Sequence, residues 1–136
     1  MRDPLARYPG YSLRRAANAM SAELAARLAA LDLRQADASA LMVIAANPGM
    51  TASALARQLD IQRANMVPLL NRLEEADLIG RSPIDGKSRG LELTSAGREK
   101  CTAAQSVIDA FEADMIARIP EQHRAHLLPA LDALWR

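Results

Sequence analysis

Apolar positions in this chain recur at helical steps over most of its length. From Ser12 the residues Leu13, Ala17, Met20, Leu24, Leu28 and Leu31 fall three or four apart, while Arg14, Glu23 and Arg27 occupy other faces. The pattern predicts a first helix over 12–31, with Ser12 as its N-cap. The preceding MRDPLARYPGY, punctuated by Pro4 and Pro9-Gly10, reads as an extended arm. Asp32 is expected to close this helix, since Asp tolerates the left-handed geometry of such an end. A second helix over Gln35–Ala46 carries Ala38, Leu41, Met42 and Ala45 on one side, and Asn47-Pro48-Gly49 stops it. Thr51 then caps a short helix, TASALARQLD, that turns Leu55 and Leu59 inward.

The next stretch, Ile61 to Asp77, is one more amphipathic helix after only a sharp corner. Met66, Leu69, Leu70 and Leu73 form its inward stripe, which leaves Gln62, Arg63, Asn65 and Arg72 largely outward. Two short apolar arms follow, Leu78-Ile79 and Leu91-Glu92-Leu93, around an Asp85-Gly86 tip; Gly accepts positive φ at no steric cost, so this is the strongest short turn signal in the chain. Thr94 or Ser95 caps a long helix that runs to Ile119-Pro120. Along it Gly97, Cys101, Ala104, Ile108, Phe111 and Met115 alternate four and three apart, the seam of a helix packed along another helix. Pro120 opens a last helix, where its missing amide is harmless, and Leu127, Leu128, Leu131, Leu134 and Trp135 give that helix an apolar face.

The order of parts defines the fold class: mainly α, about six helices and one β-hairpin wing, arranged as a winged helix-turn-helix. A single domain over 1–136 is expected, with 35–94 as the winged lobe and the helices over 12–31 and 95–136 as a dimerisation layer. Leu13, Met20, Ile108, Phe111, Met115, Leu127, Leu131, Leu134 and Trp135 are its candidate contacts, because an apolar last helix calls for a partner surface.

Composition changes this picture little. Half the residues are hydrophobic but only 3% are aromatic, so the core must be built from Leu, Ala, Ile, Val and Met, a mixture that favours helices. At 136 residues there is room for one ordinary domain. The net charge of +1 neither demands nor excludes nucleic acid, since only one face needs to be positive. The lone Cys101 excludes an intrachain disulfide and fits a reducing compartment, Met1–Gly10 lacks the apolar core of a signal peptide, and no apolar run approaches membrane-spanning length. A soluble, cytoplasmic protein with no membrane contact is expected.

In a winged helix-turn-helix the second helix of the motif enters the DNA major groove. Its opening turn here, Gln62, Arg63 and Asn65, holds the side chains suited to base edges: Arg pairs bidentately with guanine, Gln or Asn with adenine. Val67 offers a thymine-methyl contact and Pro68 lies beside it. Arg72 either holds phosphate or pairs with Glu75, its helical neighbour. The acidic Glu74, Glu75 and Asp77 lie at the far end, which suits a helix whose N-terminus meets phosphates. Thr51 and Ser53 of the preceding helix complete the near side. Arg81, Lys87, Ser88 and Arg89 around the hairpin tip are placed for the minor groove or its phosphate rims. The bland reading of each residue alone is a solvated surface; their placement between a capped helix and a hairpin is what favours DNA.

The texts NPGMTASALARQLDI, NRLEEADLIGR and DGKSRGLELTSAGRE resemble the multiple-antibiotic-resistance regulator (MarR) family over essentially the whole chain. The last is the most diagnostic, with Asp85, Lys87, Leu93, Thr94 and Gly97 at the positions of the family's wing pattern. The resemblance implies a triangular homodimer with two winged lobes, double-stranded DNA as partner, repression of nearby genes, and release by a small effector bound between lobe and dimer layer. Three departures stand out. Lys87 replaces the wing arginine and lacks its planar fork, with Arg89 placed to take over part of that role. Val67 and Pro68 occupy positions that are polar or basic in many relatives, and Pro68 deletes one intrahelical bond. Asp77 stands where the family usually has Gly.

Other chemistry is thin. Cys101 on an apolar seam reads as a small packed hydrophobe of raised pKa rather than a redox sensor. His123 and His126 are three apart on a helix, but they lack partners of recognisable metal-site spacing beyond Glu121. There is no Gly-rich phosphate loop or nucleophile elbow, so neither an enzyme nor a cofactor is expected. The alternative is a helical dimer that serves as a protein-interaction module with weak or lost DNA binding; the neutral charge and the apolar Val67-Pro68 pair keep it open.

Overall fold

The computed structural model describes residues 1–86 and 89–136. It contains, among those residues, six helices and one antiparallel hairpin: α1 (Pro9–Ala29), α2 (Gln35–Ala46), α3 (Ala52–Gln58), α4 (Arg63–Glu75), β1 (Ile79–Pro83), β2 (Arg89–Leu93), α5 (Ser95–Ala117) and α6 (Glu121–Asp132). The expected fold class is the observed one.

The hub of the chain is α2. It packs against α1, α3, α4, α5 and β2, and Ala38, Ala40, Leu41 and Ile44 are fully buried. Its alanines let neighbours approach on several sides, so the one-sided face expected from Ala38, Leu41, Met42 and Ala45 is too narrow; Ala45 is exposed and Ile44 takes the inward place. Around this hub the inward stripes of the other elements converge as expected: Leu55 from α3, Met66, Leu69, Leu70 and Leu73 from α4, and Cys101 and Ala104 from α5.

The first helix begins earlier than its pattern suggested. Ser12 is not the cap, and part of the expected extended arm is helical. Pro9 is the first helical residue, where its missing amide costs nothing, and Tyr8 before it is extended, as a residue preceding proline must be. Asp32 is left-handed at φ 56°, as expected at this end.

The hairpin pairs Ile79 with Leu93 at its root and Pro83 with Arg89 near its tip. Its root is buried through Leu78, Ile79 and Leu91. An isolated β-bridge, absent from the sequence reading, joins the α2–α3 turn to β2: the Gly49 amide donates to Leu91 O at 2.9 Å and the Leu91 amide to Met50 O at 2.8 Å. Gly97 is more than a seam position. A Cβ there would lie 1.9 Å from the Leu78 carbonyl oxygen, so the start of α5 rests directly on the backbone entering the wing. Asp77 adopts φ 56°, a left-handed geometry that favours glycine, and its carbonyl accepts a 2.6 Å bond from Thr94 Oγ1.

The seam of α5 also differs from expectation. It packs on α1 and α2 of its own chain. Phe111 is buried within the protomer at 4% exposure, beneath the Arg27 guanidinium 5.6 Å from the ring centre, so it is removed from the partner-facing set. Ile108 likewise packs against the core. Beside them a charged cluster ties α1 to α5: Arg27 bonds Glu23 at 2.9 Å and Asp114 at 2.7 Å, and Arg118 bonds Glu23 at 2.8 Å. The two guanidinium bonds, Arg118 first, hold the Glu23 carboxyl below its ordinary value of 4.5.

The ends of the chain behave otherwise. No residue of α6 is buried. Leu13, Leu128, Leu134 and Trp135 are exposed, and Met20, Met115, Leu127 and Leu131 are half-buried. The last helix stops at Asp132, so Leu134 and Trp135 lie in the turn beyond it rather than on the helix.

Candidate nucleic-acid interface

The geometry of α4 follows from its two faces. Four apolar side chains, Met66, Leu69, Leu70 and Leu73, anchor it at 2–3% exposure. That leaves Gln62, Arg63, Asn65, Val67 and Pro68 outward, all exposed. Gln62 is the N-cap residue and supplies no side-chain cap. The Asn65 amide donates to Gln62 O at 2.8 Å, which leaves the Arg63 and Ala64 amides as donors at the positive end of the helix dipole. The helix continues past Pro68 to Glu75. Proline removes the bond to the Ala64 carbonyl, and both residues are exposed, so that carbonyl can meet water.

Three elements share this face. Ser53 and Ala56 of α3, Arg63, Met66 and Val67 of α4, and Arg81 of β1 line one surface depression of about 330 Å³. Helix, helix and wing thus converge where the sequence placed them separately. Thr51 caps α3, its Oγ1 accepting from the Ala54 amide at 3.1 Å, which commits one lone pair to the fold. Arg81 is held by Glu74 through a 2.6 Å bond from Nε, fastening the wing root to the end of α4. Arg89 is exposed at the start of β2. Lys87 and Ser88, expected at the wing tip, lie outside the described residues.

Arg72 is the correction. It does not pair with Glu75; its guanidinium, on a side chain 34% exposed, turns toward α2 and bonds Asp37 Oδ1 at 2.9 Å. Asp37 is 4% exposed, and its other oxygen accepts from the Arg34 amide at 2.9 Å. A guanidinium already bound to a buried carboxylate on the core side is poorly placed for phosphate, and we take Arg72 out of the outward set. Sequence reasoning missed Asp37. The available signal was an acid in the first turn of α2, three residues past the helix entry, where it can bond back to the Arg34 amide. Cys101 is buried and burial pushes its thiol pKa up, which disfavours the reactive thiolate.

Fold and site together define a winged helix-turn-helix protein. The MarR family model matches residues 31–89. A curated relative, the putative transcriptional regulatory protein for the hcr operon of Thauera aromatica, is 36% identical over 98 residues, 71% of this chain; the chain spans 59% of that protein's length. The HTH-type transcriptional repressor Rv2887 of Mycobacterium tuberculosis is 31% identical over 117 residues, covering 83% of this chain and 84% of the repressor. Among solved structures, the transcriptional repressor CouR bound to a 23-mer DNA duplex superposes with a TM-score of 0.88 at 29% identity, over 100% of both chains. CouR bound to p-coumaroyl-CoA gives a TM-score of 0.89 at 28% identity, over 100% of this chain and 97% of that one. The chain belongs to the MarR family.

Proposed function

We propose that this chain is a sequence-specific DNA-binding transcriptional regulator, a homodimer that represses nearby genes from a pseudo-palindromic operator in the cytoplasm. One observation carries the reading. The single polar, uncapped end of α4, bearing Gln62, Arg63 and Asn65, is exposed on the same face as Ser53 and the wing, while the rest of α4 is anchored in the core. The similarity to CouR bound to a DNA duplex, and to proteins named as regulators or repressors, supports it.

In this reading the α4 amides, Arg89, Lys87, Ser88 and the Thr51 and Ser53 hydroxyls set register on phosphates. Gln62, Arg63 and Asn65 read base edges, with Val67 against a thymine methyl. Arg81 contributes mainly by holding the wing through Glu74. Two lobes joined through α1, α5 and α6 present α4 twice, at about one DNA turn, roughly 34–36 Å. A small effector, of the kind CouR holds in its complex, releases DNA by favouring a lobe spacing that no longer fits the groove. No enzymatic step and no cofactor enter.

The test is a selection of duplexes from a random library, followed by anisotropy titration of the winner and a scrambled control across salt. An inverted repeat should emerge, bound at least about a thousandfold more tightly than the control, with log K falling linearly in log salt. Equal affinity for both duplexes, or binding that ignores salt, would instead favour a protein-interaction module, the reading that the 60% exposed Val67 otherwise suits.

A further inference from the structure

The strand β2 breaks the alternation expected of a wing. Successive strand residues point to opposite faces, yet Gly90 and Leu91 are both buried. Leu91 is fully buried in the core. Gly90 is covered from elsewhere, by the backbone of the α2–α3 turn. A Cβ at Gly90 would lie 2.8 Å from Gly49 O and 2.9 Å from Gly49 Cα, closer than real Cβ contacts come. Main chain thus rests on main chain, and no side-chain rotation can relieve an intruding atom.

Gly49 meets the strand in the left-handed region, at φ 86°, the only glycine to do so among the described residues. From there its amide donates to Leu91 O at 2.9 Å, while Met50 O accepts from the Leu91 amide at 2.8 Å. The next residue, Thr51, caps α3. The turn that holds β2 therefore also launches the helix bearing Ser53. The other strand is tied to the end of α4 through Arg81 and Glu74. The wing is thus seated twice, β1 on α4 and β2 on the α2–α3 turn. Arg89, exposed, stands one residue toward the tip from the second seat.

We propose that the Gly49–Gly90 contact is the positioning element of the wing: it fixes where Arg89 stands relative to α3 and α4, and so the phosphate that Arg89 reaches. Both glycines act through Arg89. Relieving the clash of a Cβ at Gly90 means moving from 2.8 Å to the 3.4 Å of ordinary contact, and the displacement falls on the backbone that carries Arg89. The proposal rests on the DNA-binding reading and deepens it, since it makes wing affinity depend on two residues that carry no charge.

The experiment places the same substitution at two glycines of one hairpin. Gly80, in β1, has no atom within 4 Å of an added Cβ, so Gly80→Ala changes the strand without meeting the turn. Hydrogen exchange of the DNA-free chain should show the Gly49 and Leu91 amides protected in the parent and in Gly80→Ala, and exposed in Gly90→Ala. On the selected operator, parent and Gly80→Ala should share one salt slope. Gly90→Ala should lower it by about one while keeping the base preference of α4. Adding Arg89→Ala to Gly90→Ala should lower it no further, because the same contact is already lost. Gly49→Ala strains the turn rather than the strand; it should behave like Gly90→Ala and stands in for it if that variant does not fold. Unchanged exchange in both variants, a slope equal to that of Gly80→Ala, or a full further loss on adding Arg89→Ala each overturns the positioning role alone. A parent chain that binds no duplex overturns the DNA-binding reading and the positioning role with it.

Discussion

The winged lobe and the outer helices are built from similar residues, yet they stand differently in the protomer. In the lobe Leu41, Ile44, Leu55, Leu69 and Leu91 are buried to 2% exposure or less. Each apolar stripe there meets another element of the same chain. In α6 no residue is buried, and Leu128, Leu134 and Trp135 are 67–71% exposed, an apolar surface with no intrachain cover. The lobe is complete in one copy, whereas the outer helices present half of something. The difference teaches that apolar periodicity identifies a face but not its owner: Phe111 and Leu134 look equivalent as apolar positions, and only the fold shows that one is spent inside the protomer.

Breaking the lobe should have the largest effect. Leu41→Ala removes a fully buried side chain from the hub and is expected to destabilise by about 2–5 kcal/mol, read by urea denaturation. A change below about 1 kcal/mol would show the hub to be loosely packed. Charging the outer surface should act elsewhere. Leu134→Asp with Trp135→Asp is expected to turn the dimer into a monomer in sedimentation while the circular dichroism of the lobe persists; an unchanged dimer would move the partner surface off the chain's end.

Within the interface the contrast is between reading and holding. Arg63→Ala should cost about 1–3 kcal/mol of DNA affinity and relax preference at one position per half-site. Arg89→Ala should weaken all sequences alike and lower the salt slope by about one. If Arg63→Ala also weakens all sequences alike, Arg63 is a phosphate clamp.

The smallest expected effect is at the seam between the two regions. Since its guanidinium partners depress the Glu23 pKa, the ion cluster contributes stability that is fully present above about 4.5, the ordinary value, and is lost as pH falls through the lower folded value. Glu23→Gln should therefore lower the melting temperature at neutral pH, with the gap to the parent closing in acid. A gap independent of pH would assign the loss to packing instead.

Much of the lobe was legible before any coordinates. The bounds of α2, the inward stripe of α4 and the Thr51 cap all follow from local chemistry, which acts within a few residues. What was not legible is non-local. Arg72 finds Asp37 35 residues away, and Arg118 finds Glu23 95 residues away. Gly97 is required by the Leu78 carbonyl against it, and the α2–α3 turn joins the wing through Leu91. Charge alone cannot choose among the many acids and bases of such a chain. The early start of α1 was missed for a different reason: Pro9-Gly10 serves equally as loop punctuation and, with proline first, as a helix entry.

The central claim is that two modestly charged copies of α4 act together at a fixed spacing. The direct measurement takes the selected operator and inserts five base pairs between its half-sites, about half a helical turn. Affinity is expected to collapse to that of an isolated half-site. Binding of the lengthened duplex as tight as that of the original would contradict the account.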